Sequence, residues 1–151
     1  MSTFEVSTDP ARLDLEAIHA FLSQTYWSPG IPLETVRTAI AHSVCVGAYR
    51  GAQQVGFARA ITDHATFAYL ADVYVLEDHR DQGLSRRMVQ ALTEHSALSG
   101  LRRLLLITRD AHGLYAKFGF KPLAAPDRFM ELHRPAVYAA QVLPAADPPK
   151  P

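Results

Sequence analysis

The chain is poor in several things at once. Its 151 residues hold one cysteine, Cys45, and one tryptophan, Trp27, and lysine occurs only at Lys117, Lys121 and Lys150. A lone thiol excludes an internal disulfide. Cys45 lies in the apolar run Val44–Val46 and reads as a buried strand residue rather than a nucleophile, in a protein of a reducing compartment. No charge of one sign dominates, since fifteen Lys and Arg balance fifteen Asp and Glu. The resulting pI near 7.1 excludes a basic field that would gather nucleic acid or an anionic membrane. Apolar runs fall well short of the roughly 18 residues that span a bilayer, and the start MSTFEVSTDP lacks the basic and apolar regions of a secretory signal. These absences predict a cytoplasmic protein. Seven histidines without paired spacing, beside a single cysteine, predict no metal site.

What is present fits one folded domain. Hydrophobic residues make up 48% and charged residues 20%, an ordinary balance for a chain able to bury a core. Positive charge is carried almost wholly by arginine, which favours forked pairing with carboxylate or phosphate. Thr3 to Ser7 alternates like a short strand, and Asp9-Pro10 opens a helix whose apolar positions include Leu13, Ile18, Phe21 and Leu22. A second helix is predicted from Leu33 to about His42. From Ser43 the pattern turns to strands: SVCVGAYR, a turn at Arg50-Gly51-Ala52-Gln53, then QVGFARAIT and the long run TFAYLADVYVL from Thr66. Leu84, Met88, Ala91, Leu92 and His95 recur at helical steps. Leu101 to Ile107 reads as a strand, Ala111 to Phe118 as a short helix ended by Gly119, and Arg128 to His133 as a last strand. The predicted fold is therefore α/β and layered, with a mixed, mostly antiparallel central sheet flanked by helices. Residues 1–135 form the domain, and 136–151 a Pro- and Ala-rich mobile tail.

One segment carries chemistry. A buried strand, a glycine-containing loop and a helix make an anion site, because the first turn of a helix leaves free N–H groups and partial positive charge. Val73 to Arg86 has this form. Gly83 lets backbone approach an anion, Gln82, Leu84, Ser85 and Arg86 add N–H groups, and Arg80 and Arg86 add charge, so a di- or triphosphate group is the natural ligand.

The sequence VYVLEDHRDQGLSRRMV resembles the acyl-CoA-binding signature of the GNAT family of N-acetyltransferases, a strand ending in Val followed by Arg/Gln-x-x-Gly-x-Gly/Ala and a helix. Here it reads Arg80-Asp81-Gln82-Gly83-Leu84-Ser85. The run DAHGLYAKFGF resembles the family's Ala-x-x-Leu-Tyr-x-x-x-Gly-Phe through Ala111, Leu114, Tyr115, Gly119 and Phe120. The likeness covers Phe4 to Arg134. Two positions depart from it: Ser85 replaces the last glycine, which a negative φ would permit, and Thr108 stands where many relatives have Asn.

The resemblance implies a GNAT-like acyl-CoA N-acyltransferase fold, acetyl-CoA as cosubstrate and direct transfer to a primary amine, either a small molecule or a protein N-terminus. It implies that backbone N–H groups along Val73, Tyr74 and Val75 hold the oxyanion and pair with the pantetheine arm. Arg80, Asp81, Gln82, Gly83, Leu84, Ser85 and Arg86 would hold the pyrophosphate, and Thr108 would face the pantetheine. Tyr115 maps onto the general acid; as a plain helix residue it would pack Phe118. Tyr26 and Trp27 fall where relatives place acceptor-contacting residues, and otherwise would cover the core. Asp72, in an apolar strand, is open to two readings: a base or anchor for the amine, or a carboxylate satisfied by Arg59 or a backbone N–H. Water relays to His64, Glu77 or Asp110 are alternatives to it, and His112 reads as exposed or capping. A different class of function, a non-catalytic acyl-CoA sensor or interaction module, shares the fold and draws on Ser85 and Thr108. A nucleotide-phosphate enzyme lacks a Walker lysine. The architecture is compatible with a homodimer through the C-terminal strand or a sheet edge.

Overall fold

Alternating β-branched and aromatic residues build a sheet through the middle of the chain. A computed structural model describes residues 3–142. Strands β1 (Phe4–Ser7), β2 (Ser43–Arg50), β3 (Gln53–Thr62), β4 (Phe67–Val75) and β5 (Arg103–Leu106) form one sheet in the order β1-β2-β3-β4-β5. The first four pair antiparallel and β5 joins β4 in parallel. The two-residue link Gly51–Ala52 closes the β2–β3 hairpin. The described α-helices are α1 (Leu15–Leu22), α2 (Leu33–Ala41), α3 (Leu84–Thr93), α4 (His112–Ala116) and α5 (Val137–Val142). A parallel pair needs a crossover, and α3 lies within the one between β4 and β5.

The core forms where one face of the sheet meets α3. Val44, Val46 and Ala48 of β2 and Val55, Ala58 and Ala60 of β3 pack with Leu84, Met88, Val89 and Leu92 of the helix. Each fully buried side chain of this size contributes about 1.5–3 kcal/mol, so α3 is fixed by its apolar face rather than by caps.

The described chain falls into two units: the part up to Asp14 with Thr38–Lys121, which holds the whole sheet, and Leu15–Arg37 with the part from Pro122. In the second, Ile18, Leu22, Ile31 and Val36 are buried, and the His19 ring Nε2 and the Ile31 carbonyl lie 2.9 Å apart.

Two expectations need correction. The first helix is interrupted: Pro10–Arg12 is a 3-10 turn capped by the Asp9 carboxylate, and α1 starts only at Leu15. Asp14 N–H is drawn instead to Gln54 Oε1 at 2.8 Å, a partner 40 residues away. Arg128 to His133 is not a strand. A 3-10 turn occupies Pro126–Arg128 and the following residues enter no ladder of the described sheet, with Met130 97% and Leu132 77% exposed. Alternation makes a strand only where an edge accepts it. Within the predicted tail, Val137–Val142 is helical, in keeping with its Val-Tyr-Ala-Ala-Gln-Val sequence; residues 143–151 lie outside the described chain.

Candidate active site

Strand β4 changes character half-way along. On β3, Arg59 pairs with Ala71 and Phe57 with Tyr74, so Ala58 alone faces Asp72 and Val73. This is a bulge, and Asp72 adopts the left-handed region at φ 57° to make it. The side chains turned to the core shift phase accordingly, from Ala68 and Leu70 before the bulge to Val73 and Val75 after it. β5 pairs with β4 only over Phe67–Leu70. From Ala71 onward, the outer edge of β4 runs past the end of its neighbour.

The chain then turns toward α3 through a 3-10 turn at Glu77–His79. Arg80 Nε donates to the Val75 carbonyl at 3.1 Å, which ties the loop to the end of β4. Asp81 and Gly83 both take left-handed conformations, at φ 61° and 73°. Gly83 is the N-cap of α3 and brings no side-chain cap, and the first intrahelical bond runs from Arg87 N–H to the Gly83 carbonyl at 3.1 Å. The N–H groups of Leu84, Ser85 and Arg86 precede that bond, at the positive end of a ten-residue helix. A Cβ on Gly83 would meet nothing within 4 Å, so the space over the loop is open to a ligand. Ser85 lies inside the helix with a negative φ, and needs no glycine there. Leu84 is buried in the core, and Gln82 and Arg86 are exposed.

Tyr115 is held by the end of α4. Phe120 N–H donates to the Tyr115 carbonyl at 3.3 Å and Gly119 N–H to Ala116 at 3.1 Å, the crossed pair of a Schellman cap, with Gly119 at φ 91°. The Tyr115 and Phe120 rings meet edge to face at 5.9 Å, the apolar contact that accompanies such a cap. The spacing Tyr-x-x-x-Gly-Phe is thus a folding requirement as well as a motif. Tyr115 is buried in the same core cluster as Leu84 and Val75, against which Val73 also packs. Burial raises its phenol above the ordinary value of 10.0, so it stays protonated through the neutral range. Thr108 Oγ1 accepts the Ala111 N–H at 3.0 Å and shapes the turn into α4.

A family model described as an acetyltransferase (GNAT) domain matches residues 41–122. That span takes in β2 to β5, the Gly83 loop and the Tyr115 cap. The chain belongs to the GNAT acetyltransferase family. A curated acetyltransferase of Gibberella zeae is 39% identical, with 74% of this chain and 75% of that protein covered. A crystal structure of a GNAT-family acetyltransferase from Xanthomonas campestris shares 49% identity and superposes with a TM-score of 0.87 over 92% of this chain and 99% of its own. An acetyltransferase from Clostridium acetobutylicum, solved with acetyl-CoA, shares the fold at 18% identity, TM-score 0.63, over 88% and 96% of the two chains.

Within this GNAT chain the remaining candidates separate. Of the two readings of Asp72, the ion pair is present: Arg59 Nε donates to its Oδ2 at 2.6 Å, with the two side chains 16% and 9% exposed. Arg59 also donates from NH1 to Ser43 Oγ at 3.1 Å, and Ser43 Oγ donates to the Ala39 carbonyl at 2.7 Å. Ser43 was not visible as a site residue, because its part depends on a cross-strand geometry. Cys45 is buried, and desolvation pushes its thiol from 9.0 up to about 12. That suits a core residue, not a nucleophile.

Tyr26 and Trp27 do not cover the core. They are 62% and 43% exposed, with rings edge to face at 5.1 Å, on a loop fastened by Thr25 and Ser28, whose hydroxyls both reach the Leu22 carbonyl. Trp27 lines a shallow cavity of about 330 Å³ with Leu132, His133, Arg134, Val137 and Tyr138. His64, Glu77, Asp110 and His112 are all exposed. Among the described residues no three His, Cys, Asp or Glu side chains cluster as a metal site would require, and no helix is long and apolar enough to cross a membrane.

Proposed function

We propose that the protein transfers the acetyl group of acetyl-CoA to a primary amine by direct attack within a ternary complex, and that residues 1–135 act as one catalytic domain in the cytoplasm. The observation that carries this reading is the outer edge of β4 leading, within a few residues, to the uncapped start of α3. An extended pantetheine arm suits the first and a pyrophosphate the second. Acetyl-CoA supplies an acetyl group activated as a thioester. N–H groups along Val73, Tyr74 and Val75 stabilise the charge that develops on the carbonyl oxygen. The neutral amine nitrogen forms the C–N bond as the C–S bond breaks, its surplus proton leaving to water. Tyr115 gives its proton to the departing sulfur and recovers one from solvent.

From an ordinary phenol, at about 10, to a thiolate of about 8.5, that proton moves uphill by about 2 kcal/mol. Burial of Tyr115 steepens the step and at the same time keeps the acid loaded. In this reading Gln82, Gly83, Leu84, Ser85 and Arg86 receive the pyrophosphate with their N–H groups, Arg86 adds charge, and Arg80 and Asp81 shape the loop. Thr108 shapes the turn beside the pantetheine arm. Asp72, paired with Arg59, holds the strand. Exposed Tyr26 and Trp27 suit contact with the acceptor, a small amine or a protein N-terminus. The deeply protonated Cys45 thiol supports direct attack over an acyl-cysteine route.

The test is thermal stability with and without acetyl-CoA. A ligand at a hundred times its Kd adds about 2.7 kcal/mol to the folded state. Gly83→Val, which forces a β-branched residue into a left-handed conformation at the ligand face, is expected to abolish that shift. No shift in the wild-type protein at millimolar acetyl-CoA would reduce the loop to a helix start and favour an interaction module of the same fold.

A further inference from the structure

The bulge in β4 is held from outside the strand. Asp72 sits in a backbone conformation that residues with a Cβ adopt reluctantly, although Asp and Asn tolerate it better than most. Its neighbours in β4, Ala71 and Val73, are not glycines either. The compensation comes from β3, where Arg59 Nε meets the Asp72 carboxylate at 2.6 Å. It continues to Ser43 at the start of β2, and from there to the Ala39 carbonyl in α2. A forked guanidinium can hold two such partners at once; an ammonium presents a single point of charge. Both members of the pair are largely buried, so their attraction is little screened.

The consequence falls on Val73–Val75. The phase shift at Asp72 turns Val73 and Val75 to the core, and it occurs where β4 leaves β5. The direction of the backbone N–H groups beyond Leu70 therefore depends on one left-handed residue and the arginine that clamps it. We infer that Arg59 is a positioning residue for the acetyl-CoA site: by clamping Asp72 in its left-handed conformation it sets the β4 edge to which the acyl donor binds. The inference rests on the function proposed above. Asp72 then matters for its conformation and for one acceptor oxygen, not for its basicity.

The experiment measures acetyl-CoA affinity by calorimetry, with kcat and KM measured separately, for Arg59→Met, Arg59→Lys, Asp72→Ala and Asp72→Asn. Thermal unfolding and circular dichroism confirm that each variant is folded at the assay temperature. Asp72→Asn keeps the left-handed preference and an acceptor oxygen for Arg59 but loses the ion pair, and Kd is expected to rise less than in Asp72→Ala. Asp72→Ala and Arg59→Met lose the clamp, and Kd and KM are expected to rise about tenfold or more, with a smaller change in kcat. Arg59→Lys falls between them.

If a buried unpaired charge leaves Arg59→Met unfolded, Arg59→Lys and Asp72→Asn decide the matter. Wild-type Kd in a folded Arg59→Met, or in Arg59→Lys should Arg59→Met not fold, would overturn the inference. So would a loss of about a hundredfold in kcat for Asp72→Asn at unchanged Kd, the signature of a base. A wild-type protein that binds no acetyl-CoA would remove the proposed function itself, an outcome distinct from either.

Discussion

The two halves of β4 are both apolar and aromatic apart from Asp72, and have opposite fates. In Phe67–Leu70, the residues from Ala68 on lie between β3 and β5 with ladders on both sides, and Ala68 and Leu70 are sealed in the core. Ala71–Val75 keeps β3 on one side but has outrun β5 on the other. In the first half Ala68, Tyr69 and Leu70 are enclosed by strands on both sides. In the second, a row of peptide groups is kept rigid by β3 and by the core beneath Val73 and Val75, yet presented at an edge. Rigidity with an open edge is what binding an extended acyl donor needs, because the ordering cost is met before the ligand arrives. A strand end that merely frayed would present the same groups without that advantage.

If this division is real, damage to the first half must cost stability and leave the site's affinity alone. Leu70→Ala is the severest such test: Leu70 is 3% exposed and packs in the central cluster beside Val75 and Leu84. Loss of about 2–5 kcal/mol of unfolding free energy is expected, read by denaturant titration. The Kd for acetyl-CoA, measured well below the lowered Tm, should match wild type. A weakened Kd at full folding would mean that the two halves are not separable.

Tyr115→Phe makes the converse cut. Removal of one hydroxyl leaves the Schellman cap and the edge contact with Phe120 in place, so stability and acetyl-CoA affinity should hold. Turnover should fall by about a hundredfold, the low end of what a positioned general acid contributes. The pH profile gives a second reading of the same residue. Burial holds its phenol above 10.0, so in the wild type no fall in kcat from loss of this acid is expected below pH 10. Wild-type turnover in Tyr115→Phe would take the residue out of the chemistry and leave it as part of a cap.

The same strand shows what can be read from a sequence. Gly83 was legible because a left-handed helix start leaves a glycine behind, and Tyr115, Gly119 and Phe120 because a Schellman cap is local: all its partners lie within six residues. Asp72 was legible only as a choice between two roles, since its partner lies across a ladder whose register no local pattern fixes. Even so, a signal was present. The apolar positions of β4 change parity between Leu70 and Val73, which in hindsight marks a bulge at Asp72. The break before α1 left no such trace, because its cause is the side chain of Gln54 on another strand. Arg128 to His133 misled for the opposite reason: its alternation is a property of the segment, and a ladder is a property of two.

Cys45 offers the mildest test, with its pH-dependent part confined to alkaline pH. Its Cα partner on β3 is Arg59, so the thiol lies next to the clamp on the β4 bulge. Desolvation is the chief cause that lifts it to about 12; the Arg59 charge works against this and the Asp72 charge with it. An unfolded chain ionises this thiol from about 9.0. The folded state therefore binds the proton more tightly, and the stability this provides is whole below pH 9 and is lost as pH rises from there through about 12. The slope is on the order of 1 kcal/mol per pH unit. Urea unfolding at steps between pH 8 and 9.5, below the 10.0 from which the raised tyrosines contribute, should show this decline in the wild type and a flatter line in Cys45→Ala. Parallel lines would mean that water reaches the thiol, and with it the neighbouring pair of Arg59 and Asp72.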